Sequence, residues 1–597
     1  MSKMISFLGA AFLFVLPLAV SAQTADTIWV AASPTGNINN FIMGDSTSTG
    51  QRNHPNAIYA LYQDSIYFYN ATMNVNFPLT LVGGQGSGRP PVIAPAILPD
   101  GSLPNQFLDV FKGNLTLENL FLLGIGTNNH VAGNGTDMCA ITGDSLTVTL
   151  DSCIFDGWNW EVIGQIGAWD NFYITNCYFK NLIHPTSWFY GEALRGDGFN
   201  VPIDTIIVVN NTFFNLNGNP LCPTGYCNLE RFEHNSVIIN EDNPLNDFGA
   251  TNEEFKNNIF YCTETMAATP DEVAGAWLTV LPGLPSGTFA FAPISLLGYT
   301  TNVTEAERHI EVLNNLCFQP PALTDFYATW NDTVKSKVFI GTRDSIFTQN
   351  GTLDTIVVND SAVDVLTPSV FMDPLTDSLF STKSTWPNLV QSGNDTVDDP
   401  GFQSFVADQV DSAIEYMYLI RDSQNGFLYP QTNTYLWNYN PGTPVIPSAP
   451  LFDFDWPYAE SFAYSNTSLQ HAGTDGFALG DLNWFPDQKA AWLAAGGLAT
   501  GVKPAANTTP AKFDLSNNYP NPFNPSTTIK VTLVKNGQMS LKIYNVLGQL
   551  VNVVDQGYKT TGEYIYNVSM DRFASGVYFY TLQQGSNMIT RKMILLK

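Results

Sequence analysis

Residues 172–182 read FYITNCYFKNL, and residues 206–216 read IIVVNNTFFNL, which repeats the same order of aliphatic, amide and aromatic residues. Further segments share this pattern. Aligned on their last apolar residue, the segments end at Phe121, Phe155, Phe179, Phe214, Ile238, Phe260 and Phe318. Successive ends are between 22 and 35 residues apart, apart from a final interval of 58. A repeat of this length with insertions is typical of a solenoid.

The repeated segments are predicted to be strands, because they are short, β-branched and aromatic, with alternating apolar positions. Three residues before each aligned end stand Glu118, Ser152, Asn176, Asn211, Asn235, Asn257 and Asn315. Asparagine tolerates the left-handed backbone conformation, so this column predicts one sharp bend per coil. Coils stacked at ~4.8 Å would let the amides hydrogen-bond along the stack and the phenylalanine rings stack inside it.

Cys153 and Cys177 share one register of the repeat, two residues before the aligned end. Neighbouring coils would bring them close together. Two small buried thiols and a disulfide between coils both fit this placement.

The repeated segments resemble the right-handed parallel β-helix of the pectate-lyase-like superfamily. AIYALYQDSIYFYNATMNVNFPLTLVGGQG (57–86) resembles its first coil, and NDTVDDPGF (394–402) resembles its closing coil. QKAAWLAA (488–495) is predicted to be a helix that covers the open end. The resemblance covers roughly residues 25–495, and irregular coils with long loops are expected between 320 and 450.

The C-terminal residues change in composition to short alternating strands separated by Pro, Gly and Asn turns, which predicts a small β-sandwich. YPNPFNPST (519–527), IYNVLGQLV (543–551), SGVYFYTL (575–582) and TRKMILLK (590–597) closely resemble the type A sorting domain of the type IX secretion system. The resemblance implies export across the outer membrane of a Bacteroidota-like bacterium. It also implies removal of the domain on arrival, with the cargo anchored to lipopolysaccharide or released.

The chain is therefore predicted to be all-β, a right-handed parallel β-helix solenoid followed by a small C-terminal β-sandwich. Its first residues, MSKMISFLGAAFLFVLPLAVSAQ, combine a lysine, a short apolar run and a small-residue cleavage site, which predicts a secretory signal peptide. The predicted domains are the signal peptide (1–22), the β-helix body (23–498), an Ala, Thr and Pro-rich linker (499–513) and the sorting domain (514–597).

Composition limits the partners. Acidic residues number 53 and basic residues 25, for a net charge of −28, which disfavours nucleic acid and anionic membranes. No later stretch is long and apolar enough to span a bilayer. We expect a secreted protein, extracellular or at the outer-membrane surface, whose partners are extracellular polysaccharide and the type IX secretion machinery.

The segment FKNLIHPTSWFYGEALRGDG (179–198) lies between two repeat strands, and we predict that it contains catalytic and substrate-binding residues. GEALR resembles the Gly-Glu-x-x-Arg stretch of alginate and chondroitin lyases with this fold. The lysine-bearing companion segment of those lyases has no counterpart in this sequence, so the resemblance does not identify a catalytic base. Aromatic rings bind sugar faces, arginine pairs with a uronate carboxylate, and lysine or histidine takes the proton. The candidates are Lys180, His184, Glu192 and Arg195 as catalytic residues, and Trp188, Tyr190 and Asp197 as substrate-binding residues.

Other acidic residues suggest hydrolysis or metal binding. Hydrolysis needs carboxylates ~5–9.5 Å apart, for which Glu230 with Glu233 and Glu253 with Glu254 are candidates. No cofactor is certain, but Ca²⁺ is possible at acidic clusters, where metal-free acidic turns are the commoner outcome. The clusters are Asp395 with Asp398 and Asp399, Asp475 with Asp481, and Asp453 with Asp455.

Two functions fit these features. One is a secreted or cell-surface β-helix protein that binds or degrades extracellular polysaccharide, with uronate lyase chemistry as one form of it. The alternative is a non-catalytic structural or adhesive surface protein, which the lack of a strong catalytic motif favours. Whether Lys180, His184, Glu192 and Arg195 meet in one groove distinguishes the two.

Overall fold

The chain divides into a large unit of residues 27–501 and a second unit that contains residues 502–597. The computed structural model describes residues 26–33, 36–126, 136–184, 190–197, 201–247, 252–265, 267, 292–296, 308–336, 346–347, 353–354, 366, 368–369, 371–372, 374–381, 383, 387–421, 460–497, 513–515, 518, 521–535, 537–559, 562–570, 572–585 and 587–596. The predicted signal peptide lies outside the described residues, as does all of the predicted linker except Phe513.

The large unit is a parallel β-helix, in which the typical coil passes through three sheets in turn. Sheet 1 contains β1 (Thr27–Val30), β2 (Ile58–Leu61), β5 (Leu79–Gly83), β8 (Leu115–Glu118), β11 (Thr147–Asp151), β14 (Asp170–Thr175), β17 (Ile203–Val209), β20 (Cys227–Glu233), β23 (Asn252–Lys256), β26 (His309–Leu313) and β30 (Leu389–Ser392). Sheet 2 contains β3 (Ile66–Tyr69), β6 (Val92–Pro95), β9 (Phe121–Leu123), β12 (Ile154–Asp156), β15 (Tyr178–Leu182), β18 (Thr212–Leu216), β21 (Ser236–Asn240), β24 (Ile259–Thr263) and β27 (Leu316–Phe318). Sheet 3 contains β4 (Met73–Val75), β7 (Leu108–Val110), β10 (Cys139–Ile141), β13 (Glu161–Gln165), β16 (Glu192–Gly196), β19 (Leu221–Cys222), β22 (Leu245–Asp247) and β25 (Ile294–Leu296).

The inward column of sheet 2 is aromatic at four of the seven repeat positions, Phe155, Phe179, Phe213 and Phe260. Leu122, Val237 and Cys317 take the inward position in the other coils, so the predicted ends Phe121, Ile238 and Phe318 are wrong by one residue, as is Phe214. Phe155, Phe179 and Phe213 are paired across neighbouring strands and stack, with ring centroids 4.7 and 4.9 Å apart. The alignment on Phe214 is therefore wrong, because the adjacent Phe213 takes the inward position. Phe214 instead packs in a separate apolar cluster outside the coil core.

The bend between sheets 1 and 2 uses a left-handed residue in seven described coils, as predicted. The bend residues have φ between 51° and 61°, and they are Asn119, Ser152, Asn176, Asn210, His234, Asn257 and Asn314. The predicted column is right at Ser152, Asn176 and Asn257. It is one residue off elsewhere. Asn211, Asn235 and Asn315 follow the bend residue, because asparagine also occupies that position, whereas Glu118 precedes the bend residue Asn119.

The residue after the bend forms a ladder of Asn211, Asn235, Asn258, Asn315 and Asn394, of which the first four are buried and Asn394 is partly exposed. Each amide donates to the next one along the stack at 2.9–3.3 Å. Each of the last four side-chain oxygens also accepts from the backbone N–H of the preceding rung at 2.9–3.1 Å. The ladder thus satisfies polar groups that a bend would otherwise bury unpaired.

The outer face of sheet 2 is apolar and covered by later parts of the chain. Residues 460–497, here called the clasp, cross this face together with helices α2 (Pro321–Ser336) and α4 (Ser404–Arg421). Clasp residues bond to several coils: Asp481 accepts from Thr212 at 2.7 Å, and Thr474 accepts from Asn257, two coils away, at 3.1 Å. The clasp also contains short 3₁₀ turns at Leu469–His471 and Leu482–Trp484.

Two expectations about helices need correction. Helix α5 (Pro486–Ala494) forms as predicted, but its buried Trp492 packs against His234 on the side of the stack, with ring centroids 5.6 Å apart. Between residues 320 and 450 the structure has α2, α3 (Pro374–Ser381) and α4 rather than irregular coils alone. Helix α1 (Ile38–Gly44) packs beside β3 in the first coils, and β28 (Ile346–Phe347) pairs with β29 (Leu353–Asp354).

The second unit is a β-sandwich, as predicted. One antiparallel sheet contains β31 (Asp514–Leu515), β32 (Ser526–Leu533) and β35 (Gly562–Ser569). The other contains β34 (Leu550–Lys559), β33 (Gly537–Asn545), β36 (Gly576–Gln584) and β37 (Asn587–Leu595). Ile529 and Val531 of the first sheet share one core with Leu541, Tyr580 and Met593 of the second.

Candidate functional site

Lys180 lies on β15 under the clasp and is 3% exposed. Its Nζ forms an ion pair with Glu460 Oε1 at 2.8 Å and lies 3.8 Å from Asp156 Oδ2. Glu460 also accepts a hydrogen bond from the Tyr178 hydroxyl at 2.5 Å. Within the described residues, the ion pairs of Lys180 are with carboxylates of sheet 2 and the clasp. They attach the clasp to the stack.

His184 and Tyr190 lie in an aromatic group with Trp160. Tyr190 stacks on Trp160 with centroids 3.6 Å apart, and the His184 ring packs 5.2 Å from Tyr190 and 5.3 Å from Trp160. Burial lowers the pKa of His184 to about 4, so its imidazole is neutral at pH 7. Trp160 and Tyr190 are only partly buried, so they leave aromatic surface open to solvent.

Glu192 and Arg195 pair with each other at the start of β16. Arg195 Nη1 donates to Glu192 Oε2 at 2.9 Å, and Glu192 has no exposed surface. The Arg195 guanidinium also lies 5.5 Å from the Tyr190 ring centroid, which links this pair to the aromatic group. Because Glu192 already balances Arg195, the guanidinium is not free to neutralise a second carboxylate fully.

Three more carboxyl groups surround Arg195 and complete an acid cluster. Glu161 is the β13 neighbour of Glu192, and its Oε1 lies 3.9 Å from Arg195 Nε. Asp197 Oδ1 lies 3.7 Å from the same nitrogen. Asp137 completes the group, because one carboxyl oxygen from each of Asp137, Glu161 and Asp197 lies within 4.8 Å of the other two.

The acid cluster holds protons more tightly than free carboxyl groups do. Burial raises the pKa of Asp137 and Glu192, and it raises that of Glu161 well above its usual range. Burial, followed by repulsion from Asp137, raises the pKa of Asp197 to about 7. Four acids face one guanidinium, so near neutral pH the cluster either retains protons or attracts a cation.

Five of the seven predicted residues meet at this place, namely His184, Tyr190, Glu192, Arg195 and Asp197. Lys180 instead belongs to the ion pairs under the clasp, and Trp188 lies outside the described residues. Asp137, Trp160, Glu161 and Gly164 also lie here, and the sequence alone does not predict them. The stretch WNWEV (158–162) contains two tryptophans and a glutamate. That Glu161 lies beside Glu192 on the neighbouring strand follows only from the strand register of sheet 3.

The other predicted acidic pairs have different surroundings. Glu230 and Glu253 are buried on neighbouring strands, whereas Glu233 pairs with Arg231 and Glu254 lies 3.4 Å from Lys256. Neither Glu230 with Glu233 nor Glu253 with Glu254 therefore shares one surface.

Four of the five predicted calcium ligands that are described bind protein groups. Asp395 and Asp399 accept from backbone N–H groups of their own turns at 2.8 Å. Asp475 lies 2.9 Å from His234 Nε2, and Asp481 accepts from Asn483 N at 2.8 Å. Asp453 and Asp455 lie outside the described residues.

Buried acids also predict how stability depends on pH. Burial raises the pKa to about 8 for Asp170, Asp242 and Glu264, and to about 7 for Asp481. The folded state then binds more protons than the unfolded state between about pH 4 and pH 8, so stability falls as pH rises. We expect urea unfolding, followed by tryptophan fluorescence, to give at least ~2 kcal/mol more stability at pH 5 than at pH 8.

All 12 tryptophans precede residue 500, so the fluorescence signal reports the large unit alone. The variant Asp242→Asn should weaken the pH dependence. A wild-type stability that rises from pH 5 to pH 8 would contradict the protonated state of these acids.

Comparison with known proteins identifies the second unit. Residues 517–596 match a family model described as the secretion system C-terminal sorting domain. Comparisons with curated proteins and with solved structures find no significant match. None of the helices among the described residues is long and apolar enough to cross a membrane. The sorting domain shows that the protein is secreted or displayed at the outer-membrane surface.

Proposed function

We propose that this secreted β-helix protein binds an extracellular polysaccharide at the Trp160–Tyr190 pair and the acid cluster beside it. The observation that carries the proposal is the stacked, partly exposed ring pair next to a group of carboxyl side chains. Aromatic rings cover the apolar faces of sugars, while carboxyl oxygens accept hydrogen bonds from sugar hydroxyls. Arg195 can donate to sugar oxygens from the same place.

The charges favour an uncharged polysaccharide over a polyuronate. Asp137, Glu161, Glu192 and Asp197 surround a single guanidinium, which Glu192 already engages. A uronate carboxylate would add a fifth acid to this group, in which the pKa values of the four carboxyl groups are already raised, and that is unfavourable. Hydroxyl groups of a neutral sugar carry no such penalty.

The same contacts support binding over lyase chemistry. A lyase needs a base beside the reacting carbon and a cation for the uronate carboxylate. Lys180 is buried in ion pairs with Glu460 and Asp156, and the low pKa of the buried His184 makes it a weak base.

Binding is testable with single-residue variants. We expect affinity electrophoresis and calorimetry on a panel of glucans, xylans, mannans and polyuronates to find a neutral ligand. Tyr190→Ala and Trp160→Ala should each weaken its binding about tenfold, which corresponds to loss of ~1.4 kcal/mol of ring contact.

The matched control is Tyr62→Ala, which removes a 48% exposed ring far away in the sequence that lies 4.8 Å from Trp29. This variant should bind as the wild type does. If no polysaccharide of the panel binds, the alternative of a structural or adhesive surface protein is favoured. If Tyr190→Ala binds as the wild type does, the Trp160–Tyr190 pair is not the binding site.

Glycoside hydrolysis is the second candidate, and Asp197 favours it. The raised pKa of about 7 keeps a fraction of this carboxyl protonated at neutral pH, as a general acid requires. Its side chain is 27% exposed and therefore within reach of a ligand. Release of reducing ends from the bound polysaccharide, lost in Asp197→Asn with binding retained, would favour hydrolysis. Absence of release by the wild type would leave binding alone.

A further inference from the structure

Cys153 and Cys177 occupy the ladder position in the two coils that precede the asparagine ladder. Each directly follows a left-handed bend residue, which is Ser152 in one coil and Asn176 in the next. The first ladder amide, Asn211, accepts from the backbone N–H of Cys177 at 2.8 Å. The two cysteines therefore continue the same column, with thiols where the later coils have amides.

Strand pairing places these two cysteines in register on neighbouring coils. Asp151 pairs with Thr175 before them, and Ile154 pairs with Tyr178 after them. Paired strands lie ~4.8 Å apart. The Cα atoms of a disulfide are usually roughly 4.4–6.8 Å apart. The spacing of the two backbones therefore suits a disulfide bond.

The two sulfur atoms are buried side by side. Cys153 and Cys177 are each 1% exposed. Each thiol donates to the carbonyl oxygen two residues before it, Cys153 to Asp151 O at 3.4 Å and Cys177 to Thr175 O at 3.2 Å. Burial, followed by hydrogen bonding with the Cys153 thiol, raises the pKa of Cys177 well above its usual range. The two side chains thus have the same orientation on adjacent coils and interact with each other.

As thiols, the two cysteines do not reproduce the link that the ladder makes between coils. Each ladder amide donates to the next one at 2.9–3.3 Å. A thiol is a weak donor and a weak acceptor. Both thiols here donate to carbonyl oxygens of their own coil. A disulfide would supply the missing link as a covalent bond.

The secretion route supplies an oxidant. The sorting domain (517–596) shows that the protein is secreted or displayed at the outer-membrane surface, so the chain crosses the oxidising periplasm. We propose that Cys153 and Cys177 are joined there by a disulfide bond between neighbouring coils. The two thiols lose two protons and two electrons as the S–S bond forms. The oxidant is the disulfide of a thiol oxidoreductase, which is reduced to two thiols. The proposal goes beyond polysaccharide binding and does not depend on it.

Burial determines when the bond forms. Because both sulfurs are 1% exposed, an oxidant reaches them only before the two coils close over them. In the folded protein the same burial keeps a reductant away from the bond. We therefore expect dithiothreitol to reduce it in urea but not under native conditions.

The test is peptide mapping of the full-length chain after export through a bacterial periplasm. The protein is denatured and alkylated with iodoacetamide without reductant, then digested and analysed by mass spectrometry. We expect two peptides joined through Cys153 and Cys177, with a mass two hydrogen atoms below that of the separate peptides. At most five of the seven cysteines should be alkylated before reduction, and all seven after it.

The matched control is Cys139→Ser, which changes a buried thiol whose strand neighbours are Leu108 and Ile163. This variant should keep the joined peptides. Dithiothreitol should lower the urea midpoint of wild type and of Cys139→Ser, and leave that of Cys153→Ser unchanged. Peptide mapping needs no variant, so it decides the matter even if Cys153→Ser does not fold. Alkylation of both Cys153 and Cys177 in the unreduced protein, or pairing of either with another cysteine, overturns the proposal.

Discussion

Replacing Asn258 with alanine is expected to cost the large unit about 3 kcal/mol or more. The Asn258 side-chain oxygen accepts from the N–H and the amide of Asn235 at 2.9 and 3.3 Å. Its amide donates to Phe232 O at 2.8 Å and Asn315 Oδ1 at 2.9 Å. Alanine would remove all four hydrogen bonds and leave the buried Asn235 N–H without its acceptor, although the Asn235 amide keeps Val208 O and Asn315 Oδ1 keeps the Asn258 N–H. An unsatisfied buried group costs ~1–3 kcal/mol and each further lost hydrogen bond about 1 kcal/mol.

Urea unfolding monitored by tryptophan fluorescence measures this loss. The matched control is Asn252→Ala, which removes one exposed hydrogen bond of 2.9 Å to Asn228 O on the neighbouring coil. We expect the control to cost under ~1 kcal/mol. Equal stabilities of the two variants would show that the ladder does not hold the coils together.

Replacing Lys180 with alanine should have the other large effect, a loss of about 3–5 kcal/mol. The change leaves the buried Asp156 and the partly buried Glu460 without their cation. Burial raises the pKa of Asp156, with Lys180 opposing that rise, so removal of Lys180 should move it further upward. A catalytic role for Lys180 instead predicts lost activity with little change in stability. Thermal and urea unfolding of the full-length chain distinguish these outcomes.

Lys256→Ala is the matched control, because Lys256 also pairs with two acids, Glu254 and Glu311, but near the surface. We expect it to cost under ~1 kcal/mol. The double variant Lys180→Met with Glu460→Gln should recover part of the loss, since it removes both charges of the closest pair. A Lys180→Ala protein as stable as Lys256→Ala would mean that the clasp does not depend on this ion pair.

The sequence predicts the β-helix because every coil repeats the same local chemistry, but it leaves the register open by one residue. Asparagine often occurs twice in succession, as in Asn210–Asn211 and Asn257–Asn258. The first residue of each pair makes the left-handed bend, and the second enters the ladder. Composition alone does not separate these roles. The adjacent Phe213 and Phe214 create the same ambiguity between inside and outside.

The candidate site is harder to predict, since it depends on contacts that no local pattern records. Glu161 and Glu192 meet through the register of sheet 3, whose short strands lack the repeated asparagine and phenylalanine signature. Lys180 meets Glu460 across 280 residues of sequence, in a clasp that returns along the side of the stack. The sequence does predict His184, Tyr190, Glu192, Arg195 and Asp197, because they lie in one segment between two repeat strands.

The most direct test of the proposed function is a crystal structure of the full-length chain with an oligosaccharide from the polysaccharide that binds best. We predict sugar density against Trp160 and Tyr190, with hydroxyl groups within hydrogen-bond distance of Arg195 or Asp197. Density at another face of the β-helix, with these two rings bare, would contradict the proposal.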